Sequence, residues 1–198
     1  MTSAGGVSFR ELMIGGFAMG ETDPIAGERE GVRSRSFLAM QAFAAIPNLG
    51  GFLADPEHTG ELAGSVRFPP LSGWAQAERG VFKLFVRGQE PRAKAMVYTM
   101  CFRAQGREFC LHGQKHVMSR SVLHSWKDTT TLYCSLHQGS DEHAPVFGAG
   151  ILHLTPLQFA RQLASFRTVN VHSLSEKAKA LASFGSFFAR ELIDSYLS

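Results

Sequence analysis

The sequence predicts a mainly β protein, an antiparallel up-and-down β-barrel with C-terminal α-helices. Three observations lead there. First, Met96 to Gly113, MVYTMCFRAQGREFCLHG, reads as two strands around a Gln105-Gly106 turn. With those two residues as the loop, Arg103 faces Glu108, Phe102 faces Phe109, Cys101 faces Cys110, Met100 faces Leu111 and Thr99 faces His112. Turn chemistry, charge pairing and two-residue alternation then agree on one register. Second, Glu61 to Phe68 and Val81 to Arg87 alternate apolar and polar residues in the same way. Third, apolar residues recur at helical spacing only after Thr155.

The elements follow in order. Ser8 to Met19 reads as a strand with Phe9, Met13 and Phe17 on one face; its glycines suggest a bend or bulge. Glu21 to Ser36 is polar, contains Pro24, and alternates in sign through Glu28, Arg29, Glu30 and Arg33. It reads as a long solvated loop. Phe37 to Ile46 is apolar on both faces and fits a helix or a buried strand; the neighbouring pattern favours the strand. Asn48 caps a short helix through Ala54. Pro69 to Glu78 reads as a loop carrying Trp74. Thr129 to His137 and Phe147 to Leu154 are strands of high β-propensity.

Thr155-Pro156 is a helix start, followed by Phe159, Leu163 and Phe166 at helical spacing. Arg167 to His172 is one more short strand. Ser173 to Glu176 is a capping box that opens a helix whose stripe is Leu181, Phe184, Phe188 and Leu192. That stripe reads as packing on the domain's own core, and Gly185 as permitting close approach to the sheet. Residues 1–198 are taken as a single domain, with 1–154 the barrel and 155–198 a helical segment. Such a run of short strands settles its edges by closing on itself, calycin- and lipocalin-like in outline, and about eight strands enclose room for one small ligand.

Composition narrows the function. Hydrophobic residues make up 44% of the chain, with 16 Phe against 3 Tyr and 2 Trp. Phe brings apolar area without a polar handle. A net charge of +3 with no basic stripe argues against nucleic acid. The longest apolar region, Phe37 to Ala54, is broken by Gln41, Pro47 and Asn48, so no transmembrane segment is expected. No basic, then apolar leader precedes the first strand, so a cytoplasmic location is expected. There are 3 cysteines. Directly opposed strand cysteines strain a disulfide, so Cys101 and Cys110 are expected as free thiols.

Motifs for known chemistry are sparse. Gly15 to Gly20 is neither a phosphate loop nor a dinucleotide fingerprint, and no Gly-x-Ser-x-Gly elbow occurs. His112 and His116, with Cys110, could converge on a metal, but no further ligand is set beside them, and no metal is assigned. His153 is expected to bond backbone at a strand end, and Asp128 to act as a turn cap. His124 and Trp126 lie just before it. The acid–base candidates are His112, His116, Lys115, Asp128 and Tyr133, with no geometry among them.

Several segments together resemble a known accessory module. They are Phe9 to Gly15, Phe52 to Pro56 with Leu62 to Val66, Gly80 to Phe85, Trp126 to Tyr133 and Leu154 to Arg161. The module is joined to flavin enzymes of the glucose–methanol–choline type, the cholesterol-oxidase-like members, and also occurs beside α/β-hydrolase-like chains. The chain lacks those enzymes' nucleotide domain, so no flavin or other cofactor carries over. The resemblance implies association with lipid- or sterol-like substrates and with an oxidoreductase partner, and it transfers no functional residue.

The leading expectation is a non-catalytic binding or accessory module for an apolar small molecule, held inside the barrel. Its expected lining is Phe82, Leu84, Met100, Phe102, Phe109, Leu111, Trp126 and Tyr133, with His112, His116 and Asp128 as polar contacts. A small barrel isomerase or cyclase acting on an apolar substrate is the first alternative. A docking module using the last helix is the second. Homo-oligomer formation is left open.

Overall fold

The computed structural model describes residues 5–87, 93–117, 129–171 and 173–196. These residues form nine strands: β1 (Gly6–Met19), β2 (Phe37–Ile46), β3 (Thr59–Phe68), β4 (Ser72–Arg87), β5 (Lys94–Ala104), β6 (Arg107–Val117), β7 (Thr131–His137), β8 (Val146–His153) and β9 (Arg167–Val169). The helices are α1 (Pro24–Ser34), α2 (Leu49–Ala54), α3 (Pro156–Ser165) and α4 (Leu174–Tyr196). Strands β1 to β8 pair antiparallel in sequence order, and β8 returns to β1, so eight strands close into an up-and-down barrel. Strand β9 adds to the first residues of β1.

The β5–β6 hairpin has the predicted register from Ala104↔Arg107 to Lys94↔Val117. Gln105 and Gly106 both take positive φ, 50° and 72°, as a two-residue turn between right-twisted strands requires. Arg103 and Glu108 form an ion pair at 2.7 Å on the outer face. Opposite it, Met100, Phe102, Phe109 and Leu111 point inward and are buried. With Met13, Phe17, Phe68 and Phe82 they fill the barrel's centre.

Three expectations are corrected. The Glu21 to Ser36 region is not a loop, because Pro24–Ser34 is helical. Asp23 caps it, its Oδ1 accepting from the Ala26 N–H at 2.8 Å, and Pro24 occupies the first turn. The alternating charges pair within the helix, Glu30 with Arg33 at 2.7 Å. Trp74 is not in a loop, because β4 begins at Ser72 and sets Trp74 opposite Arg67. Cys101 and Cys110 are joined as a disulfide rather than free. Their register places both side chains side by side on one face. The third cysteine, Cys134, is buried and free, and burial pushes its thiol pKa up.

Strand lengths differ around the barrel, and the difference opens a notch. Strand β8 ends at His153, opposite Ile14, and β9 pairs with β1 only from Gly6 to Ser8. Between them, Phe9 to Met13 has no strand partner on that side among the described residues. Across the gap, β6 pairs with β7 only from Cys110 to Gln114 and then runs on to Val117.

The two last helices cover this notch. Helix α3 starts at a capping box of Thr155 and Gln158, and α4 at one of Ser173 and Glu176. The α3 end meets the bare strand edge, where the Arg10 N–H donates to Ser165 Oγ at 2.8 Å. Farther along α4, Glu191 takes Lys94 Nζ at 2.8 Å.

Helix α1 is seated against β1 and β8 by glycine. A Cβ on Gly27 would lie 2.1 Å from the Ala149 carbonyl oxygen, and one on Gly31 would lie 2.1 Å from the Phe17 nitrogen. A Gly-to-Ala change inside a helix ordinarily stabilises by up to about 1 kcal/mol. Gly31→Ala is expected to do the opposite, lowering stability by roughly 1–3 kcal/mol through overpacking. Thermal unfolding measures this, and a melting temperature at or above wild type would show that α1 is not held against the strands.

Candidate functional site

A cavity of about 560 Å³ occupies the notch, between the barrel wall and the two last helices. Phe9, Leu84, Met96, Tyr98 and Lys115 line it from the barrel, with Thr129 beside them. Helix α3 contributes Phe159, Gln162 and Leu163, followed by Phe166. Helix α4 contributes Leu181, Phe184, Gly185, Phe188, Ala189 and Leu192. Leu163 and Leu181 are 56% and 41% exposed, which places the mouth between α3 and α4.

Local backbone features aim these side chains. The β4–β5 register shifts between Lys83 and Val86, where Phe85 takes φ 55°. This bulge buries both Leu84 and Phe85 instead of alternating them. Leu84 enters the cavity wall, while Phe85 packs edge-on against Phe187 and Phe188. His58 holds the bulge. Its Nδ1 bonds the Leu84 carbonyl at 3.0 Å, and its own carbonyl accepts from the Leu84 N–H at 3.2 Å. Phe166 stacks on Phe9 with ring centroids 5.0 Å apart, joining the α3 end to the wall.

The floor of the cavity is charged. Glu11, Tyr98 and Lys115 all point into the barrel, and Lys115 is 2% exposed. Lys115 Nζ donates to Glu11 Oε1, so a single ion pair crosses the notch from β6 to β1. The same Nζ lies 5.0 Å from the centroid of the Tyr98 ring, within cation–π reach. Burial raises the Tyr98 phenol pKa, and the Glu11 charge and the hydrogen bond to it add to the rise. Tyr98 therefore stays a protonated donor. Among the described residues the second carboxylate oxygen, Glu11 Oε2, is buried without a hydrogen-bond partner.

The expected lining residues divide. Leu84 lines the notch cavity. Phe82, Met100, Phe102, Phe109 and Leu111 instead belong to the packed centre, where the Phe102 and Phe109 rings stack 6.0 Å apart. At that level aromatic rings from several strands share one buried apolar cluster. Tyr133 is half-buried on the outer face, 5.2 Å from the His116 ring. Trp126 and Asp128 lie outside the described residues, as do His124 and Lys127.

Of the polar candidates, His112 and His116 are on the outer face as well. His112 Nδ1 is 3.2 Å from Thr99 Oγ1, and its Nε2 is 3.0 Å from Gln114 Nε2. Burial lowers its pKa; His137 and His143 add to that, and Glu142 opposes it. Cys110 is taken by the disulfide, and no group of three metal-ligating side chains gathers among the described residues. His153 bonds a side chain rather than backbone, its Nε2 lying 2.5 Å from Glu28 Oε1 of α1.

Two signals in the sequence bear on this site. The stripe on α4 packs on the core as expected, through Phe184, Phe188 and Leu192, and also lines the cavity, while Gly185 faces open space instead of the sheet. Glu11 is absent from the sequence-derived candidates, yet it sits in phase with Phe9 and Met13 on a face that is otherwise apolar. A lone carboxylate at an inward position is the mark of a buried polar pair. Lys115, by the same alternation, shares the inner face of Phe109 and Leu111.

No family model, no curated protein and no solved structure matches this chain. These comparisons give no link to the oxidoreductase-linked module.

Removing one member of the ion pair leaves the other charge buried and uncompensated. Lys115→Met is expected to cost about 3–5 kcal/mol in urea unfolding, and the double variant Glu11→Leu/Lys115→Met to recover most of that loss. Equal losses in both variants would mean that the uncompensated Glu11 charge is not the source of the cost.

Proposed function

We propose that this protein binds an apolar small molecule, non-catalytically, in the notch between the barrel and helices α3 and α4. One observation carries the reading. A cavity of about 560 Å³ is walled by Phe, Leu and Met side chains from both layers, with a buried charged group at its floor. Ligand sites for small molecules span roughly 300–1,000 Å³ and combine mostly apolar walls with few polar groups. Burial of apolar ligand surface there supplies roughly 25 cal/mol per Å². The ion pair gives the site a polar end that can orient a guest.

The same ion pair favours one second reading, an isomerase or cyclase for an apolar substrate, in which Tyr98 and Lys115 would supply protons. The docking reading has less support, because the α4 stripe faces the cavity. Delivery of the guest to a lipid-modifying oxidoreductase follows from the sequence resemblance and has no other support. No helix among the described residues is long and apolar enough to cross a membrane. The Cys101–Cys110 disulfide fits an oxidising compartment better than the cytoplasm.

Gly185 offers the direct test, because a Cβ there meets nothing within 4 Å. Gly185→Leu is expected to fill the cavity and, by helix propensity, to hold or raise the melting temperature. Saturable binding of the apolar dye phenylnaphthylamine, followed by fluorescence, should weaken at least about tenfold, the loss of one well-buried apolar contact. Absent dye binding in the wild type, or binding untouched by the substitution, would remove the cavity as a ligand site.

A further inference from the structure

The charged floor says which apolar molecules fit, given the reading of the notch as a ligand site. Lys115 is 2% exposed, yet its side chain lines the cavity. Among the described residues Nζ donates to one acceptor, Glu11 Oε1. An ammonium carries three N–H groups, so donor capacity remains beside the cavity. Tyr98, kept protonated by burial and by Glu11, lines the same wall. The Tyr98 O–H is turned to Glu11, so the donors left for whatever enters are those of Lys115.

Its net charge selects further. Glu11 and Lys115 cancel, and the surroundings are apolar. An anionic guest would place a second negative charge against one positive, and an ammonium guest the reverse. Either leaves one buried charge without compensation, which is costly where dielectric is low. A plain hydrocarbon leaves the spare donor unsatisfied. A neutral oxygen meets both demands by accepting a charge-assisted hydrogen bond and adding no charge.

We infer that the notch takes an apolar molecule with a neutral oxygen, a hydroxyl or a carbonyl, at its inner end, held by Lys115. The apolar body extends from there between α3 and α4 towards Leu163 and Leu181.

Displacement of phenylnaphthylamine by a matched series tests this. The probes are decane, decanol, methyl octyl ketone, decanoate and decylamine. Decanol and the ketone are expected to bind at least about tenfold tighter than the other three, the span of one hydrogen bond to a charged group. Comparing the alcohol with the ketone shows which oxygen is preferred.

Lys115→Met alone leaves Glu11 bare and can fail to fold, so the variant used is Glu11→Leu/Lys115→Met. It is expected to keep dye binding and to bind decane as tightly as decanol. Decanoate or decylamine matching decanol in the wild type would overturn the inference while leaving the cavity as an apolar site. So would a double variant that still prefers decanol. Failure of every probe to displace the dye would overturn both the inference and the proposed function.

Discussion

Strand β1 is bound to β2 along ten consecutive residue pairs but meets β8 only from Ile14 onward. This mismatch of strand lengths governs the rest of the molecule. A closed barrel removes its edges only where every strand has two neighbours. At the end where β7 and β8 stop short, the Phe9 to Met13 edge and the inner faces of β5 and β6 would meet water. The chain's last third answers that exposure. Strand β9 and Ser165 take up part of the open edge, and α3 and α4 lay their apolar stripes over the gap. Helices are stiff cylinders about 10 Å across, so they bridge a notch without filling it. The vacant volume follows from that geometry.

The ion pair belongs to the same constraint. Among the described residues, β7 and β8 do not reach between β1 and β6 at this level, and no backbone pairing joins β1 to β6 there. Glu11 and Lys115 supply a side-chain bond across the gap instead. A buried ion pair adds little to stability compared with a well-packed apolar pair, because both charges must leave water. Its presence on an otherwise apolar face is the feature that the proposed ligand site would use.

Local pairings were readable in the sequence, and distant ones were not. The Arg103–Glu108 and Phe102–Phe109 pairs lie within one hairpin, so the turn residues and charges determine them together. The caps at Asn48, Thr155 and Ser173 are equally local. Asp23-Pro24 is the same kind of helix start as Thr155-Pro156, but the alternating charges that follow it hide the helix. Its seat on Gly27 and Gly31 depends on strands far along the chain. The cavity was the hardest feature to see. Its apolar stripes, Phe159 and Leu163 on one helix and Phe184 and Phe188 on the other, were visible as periodicities. That they face a void depends on where β7 and β8 end relative to β1 and β6. That is a relation among four strands, which periodicity within any one of them does not contain. The inward phase of Glu11 was available in the sequence, since it falls between Phe9 and Met13.

An apolar guest, if bound as proposed, lies in the notch and not at the barrel's centre. Selective methyl labelling of Met and Leu, with decanol added, separates the two places by intermolecular NOEs. The account expects contacts from the alkyl chain to Met96, Leu84 and Leu192. Contacts to Met100 and Leu111, with none to those three, would contradict it.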